Sequence, residues 1–237
     1  MISAPSGAPR LSEASIGAMT SARYDGLAEW YEATLLGDPL VPDTALRLLG
    51  SGLGRLLDVG CGTGFHTVQF VEAGWSVVEI DPSDDQLRRA RGRGLEVVHG
   101  RGEELPFGAD EFDAAVSLWT HTDVDDFAAV CRETARVLKP GAPFVYVGTH
   151  PCFVGPHSLF AYGEGIPKLH AGWYRRTGRY EDAPGVTPQG LRARVGATHL
   201  PLAEFLQAFL DAGFTLERVE EPGSRDFPIV VAIQCRR

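Results

Sequence analysis

Between Leu53 and Val147 short apolar runs alternate with stretches of helical spacing. Arg55–Val59, Trp75–Ile80, Leu95–His99, Phe112–Ser117 and Ala142–Val147 read as buried strands. Helices are predicted between them, over Gly64–Ala73, Asp84–Arg91 and Asp126–Leu138. The last has Phe127, Val130, Thr134 and Val137–Leu138 at helical intervals and stops at Lys139-Pro140-Gly141, where proline and glycine cannot continue it. This alternation predicts an α/β fold with a central, mostly parallel sheet flanked by helices. A helix over Leu202–Ala212 and strands over Leu216–Glu220 and Ile229–Gln234 complete the pattern.

Two segments depart from it. Ser21–Leu36 has helical spacing and carries Tyr24, Trp30 and Tyr31, so residues 21–50 are expected to form a helical arm. From His150 to Thr198 the periodicity lapses in a stretch rich in Gly, Pro, His, Trp, Tyr and Arg, too long for a plain connector. Residues 150–198 are therefore expected to be a substrate lid inserted after the fifth strand. Residues 1–20 are rich in Ser, Ala, Pro and Gly and are expected to be disordered, leaving 21–237 as one domain.

Composition narrows the function classes. The formal net charge of −9 disfavours a nucleic-acid partner, whose phosphates call for Lys and Arg. No apolar run approaches the roughly 18 residues of a membrane span, and no secretory signal pattern opens the chain. Cys61, Cys131, Cys152 and Cys235 are far apart, which fits a reducing, cytoplasmic setting and offers no close metal-ligand spacing. No metal is expected, and the chain is read as a monomer or homodimer.

The most informative stretch is Leu56–Gly64, L-L-D-V-G-C-G-T-G. Gly60, Gly62 and Gly64 follow a strand but fit neither the G-x-G-x-x-G spacing of a dinucleotide site nor a P-loop. Asp58 just ahead of them would repel a phosphate and suits a ligand with a positive charge there. The second strand ends in Val78-Glu79-Ile80-Asp81, and an acid at that place accepts hydrogen bonds from ribose hydroxyls. A nucleoside with a cationic tail meets both demands, and S-adenosylmethionine is such a molecule.

The glycine loop, V-V-E-I-D-P-S, G-R-G-E-E-L-P-F, E-F-D-A-A-V-S and R-V-L-K-P-G occur in that order over about residues 55–147. In this the chain resembles the class I S-adenosylmethionine-dependent methyltransferases of Rossmann-like fold, small-molecule type. The ubiquinone and menaquinone methyltransferase group is the nearest. The resemblance implies that Asp58, Gly60, Cys61, Gly62, Gly64 and Phe65 hold the methionine end. It places Asp81 on the ribose and Pro82, Gly102 and Glu103 about the adenine. Ser117 would lie near the transferring methyl, and Tyr24 and Tyr31 would close over the methionine end. Where the family commonly has Asp or Asn to accept from the adenine amine, this chain has Arg101, which has only donors. Glu103 or a backbone carbonyl would substitute, or Arg101 would turn outward.

Methyl transfer to a hydroxyl or amine needs alignment, exclusion of water and, for a weak nucleophile, a base. His121 and His150 follow the fourth and fifth strands, and His199 stands where the lid re-enters the domain, so these three are the candidate catalytic bases. His66 and His99 are read as structural. Trp119, Phe153, Tyr162, Trp173 and Tyr174 are candidate walls for a flat, apolar small-molecule acceptor. The expected function is methyl transfer to oxygen or nitrogen of such an acceptor, with carbon methylation or a non-methylating role as alternatives.

Overall fold

The computed structural model describes residues 22–35, 37–160, 167–188 and 190–237. The predicted disorder of residues 1–20 and the acceptor wall at Tyr162 lie outside the described residues. In chain order the elements begin with α1 (Ala28–Leu35), α2 (Leu40–Leu49), β1 (Arg55–Val59), α3 (Val68–Glu72), β2 (Ser76–Asp81), α4 (Asp84–Gly92) and β3 (Glu96–His99). Next come β4 (Ala114–Leu118), α5 (Phe127–Val137) and β5 (Pro143–Thr149). The insertion contains β6 (Ser158–Phe160), β7 (Pro167–Leu169), β8 (Gly178–Tyr180), α6 (Leu191–Val195) and β9 (Ala197–His199). The chain closes with α7 (Leu202–Asp211), β10 (Thr215–Glu220) and β11 (Val230–Arg236).

Seven strands form one sheet in the order β10-β11-β5-β4-β1-β2-β3. β1 to β5 are mutually parallel, and β11 runs antiparallel to both β5 and β10. The order reverses between β1 and β4. In an open α/β sheet this switch point opens a crevice at the carboxyl ends of the strands.

Alternation along each strand sorts the core into two layers. Leu57, Val59, Val78, Ile80, Ala115, Phe144 and Tyr146 face α5 and α7, meeting Phe127, Val130, Phe205 and Phe209. Leu56, Val77, Val116, Val145 and Ala232 face the other way, onto Val41, Ala45 and Leu48 of α2 and Phe70 of α3. On that second face the alternation continues as Asp58 on β1 and Glu79 on β2, with Asp81 at the end of β2.

Most elements fall where the pattern predicts them. The exceptions have local causes. The helix expected over Gly64–Ala73 is confined to Val68–Glu72, because the glycine loop keeps a non-helical course through Gly64 at φ +70°. The expected arm helix begins only at Ala28, after turns held by Asp25 N–H to Ala22 and Leu27 N–H to Tyr24 carbonyls. The arm's second helix, α2, is a core element that buries Val41, Thr44, Ala45 and Leu48 at helical spacing. The insertion carries short antiparallel pairs, β6–β7 and β8–β9, rather than none.

Phe127 stacks on Phe205 with ring centroids 5.5 Å apart and meets Tyr146 and Phe209 edge-on. Phe127→Ala is expected to lower stability by about 3–5 kcal/mol, the usual cost of an aromatic-sized core cavity. A denaturant titration reads the loss as a lower midpoint with an unchanged slope.

Candidate active site

Two cavities open at the β1/β4 switch point. The larger, of about 670 Å³, runs from Gly60 and Gly62 past Asp81 and Pro82 to Gly102 and Glu103, and is roofed by Tyr24, Asp25 and Tyr31 of the arm. The smaller, of about 40 Å³, lies under the glycine loop between Asp58, Cys61, Phe65 and His66. Tyr31, Gly60, Gly62, Leu118 and Trp119 line both.

The loop is shaped by its glycines. Gly60 and Gly64 have φ of +76° and +70°, the left-handed region that side chains rarely adopt. A Cβ at Gly64 would also lie 2.6 Å from Leu95 and 2.8 Å from Glu79 Oε1. These contacts seat the loop directly upon the Glu79 carboxyl of β2.

Asp58 is buried at the end of β1. Its Oδ2 accepts from the Thr67 hydroxyl at 2.6 Å, and its Oδ1 has no partner. Burial pushes its carboxyl up to about 7, partly offset by the Thr67 bond and reinforced by Asp81. Asp81 accepts from Gly62 N at 3.1 Å and Ser83 N at 2.9 Å. Burial raises it to about 6 against those two bonds. The carboxylate retains lone pairs facing the larger cavity. Glu79 is wholly buried, with both oxygens unpartnered, and burial followed by the charge of Asp58 pushes it to about 8.

At the far end of the larger cavity Arg101 donates to Glu103 Oε1 at 3.1 Å and Asp125 Oδ2 at 2.9 Å. Asp125 is also paired with Arg23 of the arm. Arg101 thus turns to the rim, tying the arm down beside Glu103. Two residues before Asp125, Asp123 Oδ1 accepts from Tyr24 Oη at 2.9 Å and from Arg192 of α6 at 2.5 Å, while Arg192 also donates to Thr122 Oγ1 at 2.8 Å. Arm and insertion are clasped through one carboxylate. Burial and then Asp123 raise the Tyr24 and Tyr31 phenols, so both are neutral at physiological pH.

Of the expected cofactor residues, Tyr24, Tyr31, Gly60, Gly62, Asp81, Pro82, Gly102 and Glu103 line the larger cavity, and Asp58, Cys61 and Phe65 the smaller. Gly64 lines neither and instead packs on Glu79. Ser117 also lines neither, because its hydroxyl turns into the sheet, 2.9 Å from the Val59 carbonyl and 2.6 Å from Thr120 Oγ1.

The three expected bases stand elsewhere. His121 is buried among Phe127, Tyr146 and Phe205 with Nδ1 bonded to the Tyr146 hydroxyl, and burial lowers it to about 3. His150 is buried, with Nε2 on Glu221 at 2.9 Å and Nδ1 accepting from Cys152 N at 3.1 Å. His199 is buried against His157, with Nε2 2.8 Å from the Tyr174 carbonyl. None lines either cavity. His121 and His150 are turned into packing just after their strands, and His199 is itself the last residue of β9, which sequence position alone did not reveal.

Of the expected acceptor walls, Trp119 lines both cavities, held at φ +63°, a strained setting for a tryptophan. Phe153 packs instead on His150 and Phe227, Trp173 under Arg176, and the Tyr174 hydroxyl accepts from Leu202 N. These three pack within the insertion and on the elements beside it, and none lines either cavity.

Conversely His66, read as structural, lines the small cavity with no hydrogen bond to its ring, and burial lowers it. Asp123, Arg192 and Glu79 were missed. Asp123 follows β4 just as His121 does, and Glu79 is an acid inside an otherwise apolar strand, so both carried a readable signal. Arg192 lies in the aperiodic insertion and carried none.

The raised carboxyls predict a pH dependence. In the fold Asp58 and Glu79 keep protons that the unfolded chain has released above about pH 4, so stability falls as pH rises through 7 and 8. The raised thiols of Cys61, Cys131 and Cys235 act in the same direction. Denaturant titrations at pH 7 and 8.5 should show a loss on the order of 1–2 kcal/mol or more. Glu79→Gln should shrink that loss by about 1 kcal/mol.

Residues 57–146 match the family described as a methyltransferase domain. The chain is similar to the demethylmenaquinone methyltransferase of Corynebacterium kroppenstedtii, 39% identical over 37% of this chain and 38% of that protein. It is similar also to that of Mycobacterium marinum, 35% identical over 52% of this chain and 55% of that protein. The chain thus spans about half or less of the curated relatives it matches. Among solved structures, an S-adenosylmethionine-dependent methyltransferase from Mesorhizobium loti superposes with a TM-score of 0.67 at 25% identity, covering 90% of this chain and 99% of that one. With the seven-stranded order, the glycine loop and the two strand-end acids, these matches identify the chain as carrying a class I methyltransferase domain of the S-adenosylmethionine-dependent type.

Proposed function

We propose that the protein transfers a methyl group from S-adenosylmethionine to oxygen or nitrogen of a small-molecule acceptor. The observation that carries this is Asp58, buried with an oxygen lacking any donor, in a small cavity continuous with the one that holds Asp81. An ammonium in the small cavity would satisfy Asp58, and ribose hydroxyls would find Asp81. The adenine would lie between Pro82 and Gly102, with Glu103 as acceptor for its amine. His66, the one imidazole in the small cavity, is suited to the cofactor's carboxylate.

When bound, the cofactor supplies an electrophilic methyl on sulfur. The protein's part is to align it and keep water out. The two cavities meet at Tyr31, Leu118 and Trp119, and transfer is assigned to that junction. Tyr24 and Tyr31 cover it from the arm, and the insertion of residues 150–198 encloses the acceptor. Since His121, His150 and His199 stand in packing, the acceptor is one that arrives already nucleophilic, such as a neutral amine or an acidic phenol. The same observation favours, as a second reading, an enolised carbon acceptor. Among the described residues no helix is long and apolar enough to cross a membrane.

Incubation with methyl-labelled S-adenosylmethionine and panels of amines, phenols and enolisable ketones tests the proposal. Label in an amine or phenol product supports it, and label in the ketone supports the second reading. Cofactor binding without transfer to any class counts against both. Asp81→Ala is expected to weaken S-adenosylhomocysteine binding by about 1.5–3 kcal/mol by calorimetry. His199→Ala should alter stability while leaving that affinity within about twofold of the parent, given that the ring lines neither cavity.

A further inference from the structure

β1 and β2 are parallel neighbours in a register that sets Asp58 opposite Glu79. Both side chains project from the same face of the sheet, toward the glycine loop, and both are buried. Among the described residues three of their four oxygens, Asp58 Oδ1 and both of Glu79, have no hydrogen-bond partner. The single hydroxyl proton of Thr67 is used on Asp58 Oδ2 at 2.6 Å.

The surroundings offer no compensating cation. Cys61 from the loop, Asp81 from the end of β2 and Thr67 ahead of α3 are the polar groups acting on Glu79. β4 contributes Val116 beside Asp58, and Leu95, ahead of β3, packs with Glu79 around Gly64. Arg93 at the end of α4 is engaged by the Thr63 carbonyl at 3.0 Å and Glu32 at 2.9 Å. Among the described residues neither Asp58 nor Glu79 is in an ion pair. Across the same loop Gln86 of α4 is buried with its Oε1 unpartnered, 3.7 Å from where a Cβ on Gly62 would stand. The loop is therefore surrounded by acceptors short of donors, which is what a ligand bringing an ammonium would supply.

We infer that Asp58 and Glu79 work as one proton-sharing acid pair beneath the glycine loop, and that Glu79 is the positioning residue that fixes the charge this pair presents to the cofactor's ammonium. The inference rests on the cofactor reading above. Two carboxyls side by side in a dry site cannot both ionise freely. Asp58, with the Thr67 bond, gives up its proton first, and Glu79 retains the other as a neutral acid near pH 7. The pair then carries one negative charge against one ammonium. Below pH 7 binding expels the Asp58 proton to solvent, and above pH 8 Glu79 ionises and adds a second charge to the subsite.

Calorimetric titration of the full chain with S-adenosylhomocysteine and with adenosine, from pH 6 to 9.5, tests this. Parent and Glu79→Gln should bind S-adenosylhomocysteine within about twofold of each other at pH 7, because glutamine mimics the neutral acid. The parent should gain an advantage of roughly tenfold by pH 9, where only it acquires the second charge. Taking the ratio of the two cancels titration of the ligand's own amine. Asp58→Asn should weaken binding and remove the dependence below pH 7. Adenosine, which lacks the ammonium, should bind all three alike at every pH.

A parent-to-Glu79→Gln ratio that stays flat across the range overturns the role of Glu79 while leaving the cofactor reading intact. Failure of the parent to bind either ligand overturns the cofactor reading itself. If Glu79→Gln does not fold, Glu79→Leu reads the same limb, since it too carries no charge above pH 8.

Discussion

The site depends on carboxylates buried at adjacent strand ends without a cation beside them. Asp58, Glu79 and Asp81 share one face of the β1–β2 pair because side chains alternate along each strand and the parallel register is fixed. Burial raises all three, so each keeps its proton to a higher pH than an exposed acid would. The loop above must come close enough to shut water out, and Gly64 permits this where any side chain would strike Leu95 or Glu79. Sheet register, loop composition and cofactor chemistry are thus consequences of one arrangement.

The strand order delivers these acids to a usable place. Reversal between β1 and β4 leaves the β1 end uncovered by a neighbouring crossover, and the arm roofs the opening. The arm's second helix explains why the roof stays in place, since α2 is packed into the second core layer and anchors the chain just beyond α1. Arg101, Asp125 and Arg23 then fasten the arm's leading end at the rim.

Much of this was legible in the sequence, for reasons of period and spacing. Parallel strands buried on both faces give near-continuous apolar runs, and an acid within such a run, as at Asp58, stands out because it is costly there. The same test applied to Glu79 would have singled it out as well. Histidines after β4 and β5 were legible only as positions, since one residue of turn geometry decides whether a side chain enters a cavity or a core. His121 enters the core because Phe127, Tyr146 and Phe205 enclose it and the Tyr146 hydroxyl bonds its ring. The insertion was illegible in detail because its strands are three residues long and its contacts are distant in sequence.

Asp123 accepts from Tyr24 on one side and Arg192 on the other. Thr122 Oγ1 donates to its other oxygen, and Arg194 of α6 lies over the Trp30 ring of α1, so arm and insertion meet along one seam. Parting arm from insertion breaks either the Tyr24 or the Arg192 bond and leaves a partly buried carboxylate short of one donor. An opening on either side costs the same carboxylate a donor, which ties the movements of the two segments together.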